Sequence, residues 1–232
     1  MTQLLAVAPN TTPLMPPLYW LILGGTLVLS LIVSSVMKRR FTEYSQIPLA
    51  MTGAEVAEAM LRQHGIRDVK VMSTPGQLTD HYDPLTKTVN LSEVVYGMNS
   101  VAAAAVAAHE VGHAVQHQQA YRWLEFRSKM VPAVQIASKG LNLIMMLSLM
   151  GMFFLGNPQM LLVYIALLGV VTLFSLVTLP VEWLESSGLA RSMETERAKN
   201  ALFWAAMTYV VAALGSLAQL LYFIMIFLGR RE

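Results

Sequence analysis

"AVAAHEVGHAVQHQQAYRW", residues 105–123, is a run of alanine and valine broken by two histidines and a glutamate. A helix this apolar is a buried one, and ionisable groups are costly to bury without partners. His109, Glu110 and His113 spell H-E-x-x-H. Residues four apart on an α-helix differ by about 40° in azimuth and about 6 Å in height, so both imidazoles reach one metal ion. Glu110 stands beside the pair, where its carboxylate can accept a proton from metal-bound water. Zinc with three protein ligands and one open position lowers the pKa of bound water to about 7. A five-residue pattern also arises by chance, or as helix histidines satisfied by their neighbours. Here the required context is met, with the motif mid-helix, no proline and a small-residue face.

The third ligand is not adjacent. His117 lies about 12 Å from His109 along a straight helix, and no glycine after His113 turns the chain back, so His117 reads as a supporting or surface residue. Glu182 and Glu185, in "TLPVEWLESSGLARSMETERAK" (178–199), are the better candidates. Pro180 marks a helix start, which leaves Glu182 at a membrane interface beside the proposed site. Glu185, one turn on, competes with it, and either carboxylate also fits a merely solvated interface position.

That membrane is evident from composition. The chain has 232 residues, 55% of them hydrophobic and 13% charged, with a mean hydropathy of +0.52. Four apolar stretches of spanning length follow from the pattern, at 18–37, 133–155, 160–179 and 201–228. The second includes Lys139, whose stem can snorkel, and a short loop, 156–159, joins it to the third as a helical hairpin. The first 17 residues hold no Lys or Arg and carry Pro13, Pro16 and Pro17, so the first span reads as an anchor and not a cleaved signal. Basic residues gather after the first span (Lys38, Arg39, Arg40), before the second (Arg122, Arg127, Lys129) and between the last two (Arg191, Arg197, Lys199). The positive-inside rule then puts residues 1–17 outside, and 38–130 and 180–200 in the cytoplasm. The last stretch fits less well, since a full crossing takes Arg230 and Arg231 outside, and at about 42 Å it exceeds a perpendicular span.

The net charge of +2 belongs to these flanks and gives no nucleic-acid signal. With no cysteine, disulfides and thiolate zinc sites are excluded. Between the first two spans, Thr52-Gly53-Ala54-Glu55 reads as a capping box opening a helix with Val56, Met60 and Leu61 on one face and Gly65 as its stop. "RDVKVM" alternates, and two extended runs flank the turn signal Asp83-Pro84, giving a small β-hairpin with room for a third strand. Asn99 or Ser100 then caps the H-E-x-x-H helix, at about 100–119. Asp80, His81 and Asp83 are adequately explained by turn geometry. The hairpin reads as lying beside the H-E-x-x-H helix and offering an edge to an extended substrate.

"HEVGHAVQ" (109–116), "LTDHYDP" (78–84) with "LSEVVY" (91–96), "TLPVE" (178–182) and "MTYVVAAL" (207–214) together resemble the neutral zinc metallopeptidases of the bacterial YugP type, over most of the chain. After Glu182 the chain departs from that pattern, with Leu184 where the family usually has Asn or Asp. The resemblance implies a mainly α membrane protein of about four transmembrane helices, with a cytoplasmic zincin-like, minigluzincin-type helical domain at 38–130 carrying a small hairpin or sheet. It implies Zn2+ held by His109, His113 and Glu182, with Glu110 as the catalytic carboxylate, a gluzincin-like arrangement. The expected function is a zinc endopeptidase in the bacterial inner membrane, active at its cytoplasmic face. Its partners would be polypeptide substrates, membrane or misfolded proteins among them, and lipid, with a homo-oligomer or membrane-protein partner compatible and nucleic acid not. The alternative is a non-hydrolytic zinc-binding membrane adaptor or scaffold in a quality-control assembly.

Overall fold

A computed structural model describes residues 17–150, 157–192 and 196–229, with all side chains except those of 149 and 183–192. The extreme N-terminus, the loop start at 156, the Glu185 side chain and Arg230-Arg231 lie outside the described residues.

The elements run α1 (Pro17–Ser45), α2 (Gly53–Gln63), β1 (Lys70–Thr74), β2 (His81–Asp83), β3 (Thr88–Ser92), α3 (Glu93–Gly97), α4 (Val101–Gln118), α5 (Arg122–Leu149), α6 (Pro158–Ser192) and α7 (Glu196–Gly229). Four helices are long and apolar enough to cross a membrane: Pro17–Ser45, Arg122–Ser148, Pro158–Glu182 and Glu196–Gly229. Leu21, Leu27 and Leu31 are exposed along α1, an apolar surface suited to lipid.

Each of these helices begins before its apolar stretch, and α1, α6 and α7 also end beyond it. α6 does not begin at Pro180, as its position suggested, but runs through it, and α5 runs through Pro132. Proline removes one ladder hydrogen bond, a loss that packed neighbours make tolerable in a membrane helix. In α6 the turn at Pro180 is tied sideways, because Gln116 Nε2 donates to the Val181 carbonyl at 2.9 Å.

α7 lies antiparallel to α1 along its length. Near its start Asn200 Oδ1 accepts from the Tyr44 hydroxyl at 3.1 Å. Midway, a Cβ on Gly215 would collide with the Thr26 side chain, so glycine permits the close approach. At the far end Tyr222 and Phe223 pack on Tyr19, with ring centroids 5.5 and 5.7 Å away. The long last helix therefore traverses the whole bundle, and its C-terminal end lies level with the start of α1.

The other end of the bundle receives α4. Ser100 caps that helix, its hydroxyl accepting from the Ala103 N–H at 3.2 Å. One face, Ala103, Ala107, Val111 and Ala114, packs on Ala57 and Leu61 of α2 and on Val89 and Leu91 of β3. Another, Val101, Ala102 and Ala105, packs on Tyr44 of α1 and Ala198 of α7, and Ala108 meets Leu202. A helix enclosed on two sides has room only for small residues, which accounts for its alanines.

The capping box at Thr52 and Glu55 forms with both arms. Leu61 is buried on α2, whereas Val56 and Met60 are only half-buried. The sheet has the order β1-β3-β2, with β2 antiparallel and β1 parallel to β3. β2 is an edge strand, held across α4 by the Tyr82 hydroxyl, 2.9 Å from His117 Nδ1.

Candidate metal centre

His109, His113 and Glu182 converge, with one ligand atom from each lying within 4.8 Å of the others. His109 Nε2 is 3.6 Å from Glu182 Oε2, and His113 Nε2 is 3.9 Å from Glu182 Oε1. Donor atoms around a tetrahedral zinc with bonds of about 2.0–2.1 Å stand about 3.3 Å apart, so each histidine–Glu182 pair would close in by tenths of an ångström, and the widest pair in the group, within 4.8 Å, by about 1.5 Å at most. Glu182 is 2% exposed, and neither of its oxygens has a hydrogen-bond partner. A buried carboxylate that faces two imidazole nitrogens and takes no hydrogen bond, even from the arginine beside it, has acceptor capacity left for a metal ion. The residues present therefore fit a metal ion.

Gln116 fixes His113 in a tautomer able to bind a metal ion. The Gln116 amide must point Nε2 at the Val181 carbonyl, which leaves Oε1 facing His113 Nδ1 at 3.2 Å. An amide oxygen only accepts, so Nδ1 carries the proton and Nε2 presents its lone pair toward Glu182. Burial keeps the ring neutral by pushing its pKa down to about 3, with His109 and Arg127 adding to the effect. Gln116→Leu should weaken zinc binding about 10–100-fold while the fold is retained, measured by titration against a competing chelator. An unchanged affinity would remove the orienting role.

Glu110 is 6% exposed. Burial raises its pKa, His109 opposes this, Asp80 and Glu182 add to it, and a backbone hydrogen bond from Tyr82 favours the ionised form. The carboxylate thus sits between α4 and the edge strand, poorly solvated and with a raised proton affinity.

Arg127 of α5 places Nη2 3.2 Å from Glu182 Oε1, outside hydrogen-bond geometry, and its Nε is buried without a hydrogen-bond partner. Sequence reasoning counted Arg127 only as a membrane-flanking charge and gave Gln116 no role. No local pattern announces the arginine, whereas Gln116 stands one turn past His113, where a supporting side chain is reachable. His117 touches Tyr82 and not the cluster. Asp83 accepts from the Leu85 N–H and Thr86 hydroxyl, local bonds of the kind turn geometry predicts, whereas Asp80 is occupied by the N–H and hydroxyl of Ser92, twelve residues on.

Residues 19–228 match the family described as "Putative neutral zinc metallopeptidase". The chain is 42% identical over 207 residues to the "Putative membrane protease YugP" of Bacillus subtilis (strain 168), covering 84% of this chain and 90% of that one. No solved structure matches the chain. By the extent of both likenesses the chain belongs to this zinc metallopeptidase family, and among the described residues the half-buried His109 with the buried His113 and Glu182 form a group able to hold the metal.

Proposed function

We propose that the protein is a zinc-dependent endopeptidase of the bacterial inner membrane, cleaving polypeptides at the cytoplasmic face. The carrying observation is Glu182: it comes from a membrane helix to meet both histidines of the α4 motif, and neither of its buried oxygens has a hydrogen bond. His109, His113 and Glu182 would be the ligands and Glu110 the general base. Zinc, when bound, supplies a Lewis acid that polarises a carbonyl and makes water acidic near neutral pH. Glu110, partly desolvated, would take the proton of the attacking water and deliver it to the leaving amine. β2, an edge strand beside α4, would pair with an extended substrate.

The cytoplasmic orientation is supported by Lys38, Arg39, Arg40, Arg122 and Lys129, which cluster at the α4 end of the bundle. Residues 1–17 and the 156–159 loop would then lie on the opposite side, as would the C-terminal end of α7.

Detergent-purified protein, loaded with zinc and presented with an unfolded polypeptide such as casein, should cleave it. Chelator-treated protein should not, and returned zinc should restore cleavage. A protein that binds zinc but cleaves neither casein nor an unfolded membrane protein would act as an adaptor and not as a peptidase.

A further inference from the structure

Behind the His109 and Glu182 pair lies a cavity of about 140 Å³, lined also by Met37, Leu202, Ala205, Ala206, Thr208 and Tyr209. Its walls therefore come from α1 and α7, with α4 and α6 contributing the two metal-site residues. Met37 is the last apolar residue of its stretch, followed directly by Lys38-Arg39-Arg40, so the cavity sits where the bundle leaves its apolar zone. Met37, Leu202, Ala205 and Ala206 make its wall apolar away from the metal-site residues, with Thr208 and Tyr209 as polar neighbours, and a cavity of about 150 Å³ takes a molecule of benzene. Glycine or alanine would leave most of the space empty, and a void forfeits contacts.

We propose that this cavity is a specificity pocket, receiving a Leu-, Met- or Phe-sized apolar side chain next to the scissile bond. The inference rests on the peptidase reading, because only a bond presented at His109, Glu110 and Glu182 places its neighbouring side chain there. It identifies the substrate class as polypeptides carrying a large apolar residue at the cleavage point, the kind that membrane segments expose at the bilayer surface. Ala205 and Ala206 keep the pocket open by their size, and Met37 sets its outer limit.

The test uses zinc-loaded full-length protein and peptide hydroxamates that differ only in the side chain beside the metal-binding group: Gly, Ala, Leu or Phe. Binding is read by calorimetry, independently of turnover. The Leu and Phe compounds should bind at least about tenfold tighter than the Gly compound. Ala205→Leu, which fills the pocket, should flatten the series at unchanged zinc content. Met37→Ala, which enlarges it, should shift the preference toward Phe, and this second variant serves if the first fails to fold. A flat series in the wild type, no binding by any member, or a steep series untouched by either variant overturns the pocket. A steep series that the variants alter, in a protein that cleaves no polypeptide, upholds the pocket and overturns the peptidase reading instead.

Discussion

Replacing Glu110 by Gln lowers the cleavage rate of the zinc-loaded protein by about 10²–10⁴-fold, the range that a positioned general acid–base contributes, and leaves zinc content at the wild-type level. Gln has nearly the same shape, and its amide oxygen can still accept from the Tyr82 N–H that faces the carboxylate. It cannot hold a proton in transit between water and amine. The geometric argument for retained metal is that Glu110 is outside the convergent set of His109, His113 and Glu182. Stability does not fall either, since the substitution removes a charge from a position only 6% exposed. Turnover of casein, zinc by elemental analysis and the thermal midpoint, measured on the same preparation, check the three statements together. Cleavage at the wild-type rate would take the base role away from Glu110.

The features legible in the sequence are those carried by short-range chemistry. The capping box at Thr52 and Glu55, the Ser100 cap, the turn at Asp83-Pro84 and the spacing of His109 and His113 each depend on neighbours within a few residues, and each forms as read. Glu182 was reachable only as one of two carboxylates after the third apolar run, with Glu185 the other, and the family resemblance chose between them. What was not legible depends on packing between distant segments. Proline at 180 signals a helix start by local rules, whereas in the packed bundle the helix runs through it, with Gln116 bonded to the Val181 carbonyl. The parallel pairing of β1 with β3 needs a crossover that alternation alone does not reveal. Arg127 is the clearest case. Its charge had a sufficient explanation in membrane topology, and its nearness to Glu182 follows from α5 and α6 packing side by side.

That nearness gives Glu182 two candidate roles, metal ligand and counter-charge of the arginine. Glu182→Ala should reduce zinc from near one per chain to near zero, an affinity loss exceeding the 10–100-fold that outlying partners command, whereas Glu185→Ala should retain the metal. Two explanations of such a loss compete. If Glu182 is a ligand, its removal leaves two imidazoles, too few for a site that holds zinc through three protein groups. If it is only the counter-charge of Arg127, its removal leaves a bare guanidinium near the histidines, which repels a dication without any ligand having been lost. The double variant Glu182→Ala/Arg127→Ala separates them. Removing the arginine abolishes the repulsion but restores no donor atom, so a ligand role predicts that zinc stays absent. Recovery of zinc in the double variant would make Glu182 a charge-balancing residue, and would move the search for the third ligand to Glu185. The ligand outcome follows from the geometry. Both carboxylate oxygens point within 4 Å of imidazole nitrogens, while the arginine contact at 3.2 Å lacks the alignment of a hydrogen bond. A carboxylate serving mainly as a partner for arginine would be expected to take the aligned, two-pronged contact that a guanidinium offers.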